Sequence, residues 1–112
     1  MSPKTGWITI PASQNESSIL ELLTETLVGV YMPSAWDQAD LVFAASHDGI
    51  TFADMYEFGS LVTAQGAAGQ YVPLDFAKFV GVAYLKMRSE SGGLPVNQTS
   101  ERVLIPVFRT LE

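Results

Sequence analysis

Apolar residues along this chain recur at two spacings, and the shorter one dominates. Period-two runs appear in WITIP (7–11), DLVFAAS (40–46), ITFADMY (50–56), SLVTA (60–64), QYVPL (70–74), GVAYLKMRS (81–89) and RVLIPVFR (102–109). Each is bounded by Gly, Pro, Ser, Asp or Asn, which is how short strands are punctuated. Helical spacing surfaces only in SSILELLTETLVGVYM (17–32), through Ile19, Leu20, Leu22, Leu23 and Leu27. That window ends in β-branched residues, contains Gly29 and stops at Pro33, so it reads as two strands. Eight or nine short strands at roughly ten-residue spacing, with no helical crossover between them, predict an all-β antiparallel β-sandwich of jelly-roll type.

Three local departures refine this. In LDFAKF (74–79), Asp75 is placed to cap one short helical turn, and Phe76 and Phe79 are spaced to share a side, predicting a plug over one end of the sandwich. Pro106 interrupts the last strand and has no N–H for a ladder, which predicts a bulge or an exposed edge there. In the same strand Leu104 and Phe108 alternate with Val103, Ile105 and Val107. Both faces are therefore apolar, and the outer one is covered either by a partner subunit or by the sandwich itself.

At 112 residues without a linker-like tract, the chain reads as a single domain spanning 1–112, with residues 1–6 of MSPKTGWITIP as a mobile N-terminal arm. Apolar residues make up 47% of the chain, enough for a core that needs no staple, and the absence of cysteine removes disulfides, thiolate metal sites and Cys nucleophiles together. No apolar run follows Lys4, so neither a signal peptide nor a membrane contact is expected, and the cytoplasm is the default address. A net charge of −6 with scattered basic residues argues against nucleic acid, whose phosphates need clustered Lys and Arg. Asn15-Glu16-Ser17 and Asn97-Gln98-Thr99 fit the glycosylation sequon and are read as ordinary loop residues.

Candidate chemistry is sparse. SHDGITF (46–52) resembles the Asp-box of sialidases and related propellers, one residue short. It occurs once, and its chemistry is that of a turn: Asp48 accepts backbone N–H bonds, Gly49 supplies a positive φ, and Phe52 returns to the core. His47, the only histidine, reads as a solvent-facing tip. Asp37, Asp40, Asp54 and Glu57 are carboxylates for which no spacing marks a glycosidase pair. Nucleophile elbows, phosphate loops and zinc-ligand patterns are missing, GAAG (66–69) reading as a flexible hairpin. The expectation is therefore a protein that is not an enzyme, with no cofactor and no metal. Trp7, Trp36, Tyr31, Tyr56 and Tyr71 are the aromatics that could form a platform for sugar rings or a protein. Trp36, in the loop PSAWDQAD, either stays exposed or folds back to cap the sandwich. Trp7, Ile8 and Ile10 either add to a neighbour's sheet or form an ordinary first strand.

The succession LVGVYMPSAWDQADLVFAASHDGITFADMY, then YVPLD, YLKMRS and NQTSERVLIPVFR, resembles the small capsid decoration proteins of tailed bacteriophages, the cement or staple class. It covers most of the chain and rests on the order of strands and loops rather than on a catalytic motif. The resemblance implies a jelly-roll or carbohydrate-binding-module-like sandwich on the capsid exterior that ties neighbouring major capsid subunits together. Trp7, Ile8, Ile10 and Trp36 are its interface candidates and Asp48 and Gly49 its structural turn. The implied partners are the major capsid protein and further copies of the chain, a dimer being favoured, with a glycan contact left open. A carbohydrate-binding module and a tail or baseplate adaptor are the alternatives.

Overall fold

A computed structural model describes residues 3–110. In chain order the strands are β1 (Lys4–Thr5), β2 (Ile8–Ile10), β3 (Leu20–Glu21), β4 (Glu25–Tyr31), β5 (Asp40–Ser46), β6 (Ala53–Asp54) and β7 (Tyr56–Glu57). They continue with β8 (Ser60–Leu61), β9 (Thr63–Gln65), β10 (Tyr71–Pro73), β11 (Tyr84–Ser91), β12 (Leu94–Pro95) and β13 (Arg102–Thr110), with a 3-10 turn over Phe76–Phe79. All pairings between them are antiparallel, and the elements form a β-sandwich. Among the described residues no helix is long and apolar enough to cross a membrane.

The first sheet runs β10, β4, β13, with β1 and β2 both on the far side of β13. The second is built on β5 and β11, paired from Tyr84↔Ser46 to Glu90↔Asp40, with β6 and β9 beyond β5 and β3 and β12 beyond β11. Strand alternation sends Leu41, Phe43, Leu85 and Met87 inward from the second sheet to meet Ile8, Ile10, Leu27, Val30 and Leu104 from the first. Burying side chains of this size contributes about 1.5–3 kcal/mol each before entropy is counted. Asp75 caps the 3-10 turn by accepting from the Ala77 N–H at 3.2 Å. The turn drives Phe79 edge-on into Phe43, with centroids 5.1 Å apart, as a plug. Phe76, expected on the same side, is instead half-exposed, and only its carbonyl turns inward, accepting from the Thr26 hydroxyl at 3.1 Å.

Pro106 lies in an interior strand, not at the exposed edge expected there. Its carbonyl accepts from the Gly6 N–H, so its missing N–H also faces Gly6, and the one ladder bond left unmade, to the Gly6 carbonyl, falls between β1 and β2. The expected bulge is present one residue on, between Val107 and Phe108. The outer edges of β2 and β11 are covered by the segment after Ser13. Ser18 N–H bonds the Thr9 carbonyl at 2.9 Å, and Ser17 exchanges two bonds with Met87. GAAG is no hairpin within one sheet: it carries the chain from β9 in the second sheet to β10 in the first. Of the expected N-terminal arm, residues 1 and 2 lie outside the described residues, whereas Lys4 and Thr5 pair with Phe108 and Val107.

Candidate contact face

The SHDGITF turn is held from within. Ser46 Oγ accepts from the Asp48 and Gly49 N–H groups at 3.2 and 2.8 Å and donates to Asp48 Oδ1 at 2.9 Å. That oxygen also accepts from the N–H groups of Ile50 at 2.8 Å and Thr51 at 3.0 Å. The Thr51 N–H first, then the Ile50 N–H and the Ser46 hydroxyl, hold the Asp48 carboxyl down at about 2. Gly49 has φ +78°, and its bare face lies under the Tyr84 ring. Ser46 Oγ and Asp48 Oδ1 are thus spent on the motif's own backbone. The turn joins central β5 to edge strand β6, and one expectation needs correction: Phe52 lies outside the core, beneath the Lys86 ammonium at 4.6 Å.

Three of the four candidate carboxylates, Asp37, Asp54 and Glu57, face cations. Asp37 faces Arg102, whose guanidinium is the main cause of its lowered carboxyl pKa, with the Thr99 N–H and hydroxyl adding to it. Asp54 faces Arg88 at 2.8 Å, and Glu57 faces Lys78 at 2.9 Å, raising the lysine's pKa. His47 is exposed. Among the described residues no three His, Asp or Glu side chains gather as a metal site. Trp36 folds back onto the core, its indole N–H donating to the Ala39 carbonyl at 3.2 Å, so it takes the capping role and not the exposed one. Ile8 and Ile10 are buried and paired with β13 of their own sheet. As interface candidates they are corrected to core residues.

A residue missed in the sequence organises this end of the sandwich. Gln98, fully buried, donates to the Asp37 carbonyl at 3.1 Å and accepts from the Asp37 N–H at 2.9 Å and Arg102 Nε at 3.2 Å. It clamps the Trp36 loop to the start of β13. No local signal marks it: its sequence neighbours, Asn97 and Thr99, are those of a solvated sequon, and Asp37 lies 61 residues away.

What remains exposed is organised by register. β1 and β2 pair with β13 in one unbroken register, which sets Trp7 beside Ile105; Ile105 faces Tyr31 and Tyr31 faces Tyr71. Trp7, Ile105, Tyr31 and Tyr71 therefore form one row across the outer face of the first sheet, with exposures of 76, 40, 50 and 43%. The Tyr31 and Tyr71 rings meet at 4.6 Å and tilt by 46°. Above the row lie Thr9 and Val103; below it lie Thr5, Val107, Gly29 and Pro73. Tyr71 lies across Gly29, where a Cβ would stand 2.1 Å from its hydroxyl oxygen, so glycine makes the bed for the ring. These three rows contain no charged side chain.

The outer face of the second sheet is constructed differently. Val42 and Ala44 are buried there under the stems of Arg88 and Lys86, whose heads pair with Asp54 and Glu90 and with Glu16. Covering apolar strand positions with paired charged side chains is how a sheet face is fitted for water. No such cover exists over the Trp7–Tyr71 row. No protein-family model matches the chain, and no curated protein matches it.

Proposed function

We propose that this protein is a non-enzymatic virion structural protein that binds the exterior of a phage capsid and staples neighbouring major capsid subunits, working by contact. The observation that carries the reading is the uncharged row Trp7, Ile105, Tyr31 and Tyr71 on a sandwich whose opposite face is sealed by ion pairs. At about 200–250 Å² per aromatic side chain, the three rings alone leave roughly 400 Å² in water, the size of a working patch. That is about half of one partner's share of a standard interface, so a single contact is weak. A shell with many equivalent sites converts weak contacts into firm attachment through effective concentration. The strand-and-loop likeness to decoration proteins supports the same reading.

The test is co-sedimentation of the purified protein with shells that lack it, followed by heating. Binding with raised heat tolerance supports the proposal; absence of binding overturns it. A carbohydrate-binding reading draws on the same three rings. Sugar recognition pairs stacking with directional bonds to hydroxyls, and here only the Thr5, Thr9, Tyr31 and Tyr71 hydroxyls offer them, with no amide or carboxylate side chain in the three rows. Specific glycan-array binding lost in Trp7→Ala would favour it.

A further inference from the structure

We propose that the uncharged face of the first sheet is covered by a second copy of this chain, packed about a two-fold axis. The inference rests on the decoration reading only in taking that face as a contact face; it gives the face to a second copy in place of the shell, so that a stapling dimer meets the shell with its other surfaces. Neutrality is the first argument. Two molecules each carrying −6 repel wherever acidic surfaces meet, and the three rows around Tyr31 bring no charges together. The same neutrality leaves no ion-pair code by which a charged partner would be selected.

Row order is the second. An axis passing between Ile105 and Tyr31 sets Trp7 of one copy over Tyr71 of the other, and Ile105 over Tyr31, twice each. Every contact is then aromatic or aliphatic on aromatic, and the patch is its own complement, as an isologous interface requires. Shape is the third. Tyr71 fills the space above Gly29, so the face presents a ringed surface with no socket there, suited to another sheet stacking about 10 Å away rather than to an inserted knob or small ligand. Area sets the strength. With Val103 and Ile105 added to the rings, each copy offers about 500 Å², and two copies bury about 1,000 Å², the lower bound of a specific interface. The dimer is reversible, not obligate.

Sedimentation equilibrium of the full chain from about 10 µM to about 1 mM, the range where weak interfaces dissociate, is the experiment. The mass should climb from one chain towards two, and Ile105→Lys should hold it at one chain with an unchanged urea midpoint. Because the chain has no cysteine, Ile105→Cys gives a second readout: a bifunctional thiol reagent about 10 Å long, the spacing of stacked sheets, should join two copies across the axis, whereas Ile50→Cys, exposed and off the face, should not be joined. A monomeric protein throughout, or equal association by Ile105→Lys, overturns the inference. A dimer that binds no shell upholds the self-contact and sinks the decoration reading. A monomer whose shell binding is lost in Ile105→Lys assigns the face to the shell and refutes the second copy.

Discussion

Replacing Gln98 by Leu isolates the clamp at the Trp36 end of the sandwich. Leucine keeps the volume and the backbone bonds, in which the Gln98 N–H donates to Gln14 and the Gln98 carbonyl accepts from Ser13. It deletes three side-chain hydrogen bonds, two to the Asp37 backbone and one from Arg102. Each is worth about 0.5–1.5 kcal/mol net, and a partner stranded away from water costs about 1–3 kcal/mol. Water reaches part of the site and leucine recovers some apolar burial, so the expected loss is about 2–4 kcal/mol. That corresponds to a fall in Tm on the order of 10–20 °C for a domain of this size. Urea unfolding should show a lower midpoint with an unchanged slope, and Trp36 emission, read in a Trp7→Phe background, should shift to the red as its loop loosens. Asn97→Ala, next door in the same sequon, removes only an exposed bond to Asn15 and should change stability by less than about 0.5 kcal/mol. A Gln98→Leu loss below about 1 kcal/mol would refute the clamp.

Phe79→Ala empties the plug against Phe43 and should cost about 3–5 kcal/mol in urea unfolding; a cost near that of a surface change would show that the turn does not seal the core. Phe58, 98% exposed at φ +52°, shares a two-residue hairpin loop with Gly59 at φ +79°, a geometry that suits Asn-Gly. Phe58→Asn should therefore stabilise the protein by about 0.5–1 kcal/mol, and a destabilised variant would contradict the strain argument. Acid should weaken the fold through Asp48. A carboxyl whose folded pKa is depressed contributes stability that is full above its unfolded value of 3.8 and is lost as pH falls towards about 2. Urea midpoints should drop across that window, and Asp48→Asn should flatten the drop; an equal slope in the variant would remove Asp48 as its cause.

The strands were legible where alternation and punctuation coincide. DLVFAAS becomes β5 without adjustment, and LDFAKF becomes the capped turn, because both depend on neighbours within a few residues. Pro106 was half legible: proline forbids one ladder bond, but which neighbour goes without it, the Gly6 carbonyl between β1 and β2, is set about a hundred residues away in sequence. Phe52 failed for a related reason. Alternation says that it points to one face, and whether that face is core or a surface roofed by Lys86 depends on which strand pairs beyond it.

The exposed aromatic row was the least legible feature, because its members sit far apart in sequence and each looks like core. WITIP and RVLIPVFR show the same apolar alternation on both parities, and only pairing decides which parity is buried. Once Ile8 is set against Leu104, Ile10 and Ile8 are committed inward and Trp7 is committed outward beside Ile105; a slip of one residue would exchange them. The cost of leaving Trp7, Tyr31 and Tyr71 in water is therefore fixed by the same register that buries Ile8, Leu104 and Val30. Repacking cannot relieve it without losing the core, and covering the face from outside recovers it. That is the physical ground for reading this sandwich as one half of a contact.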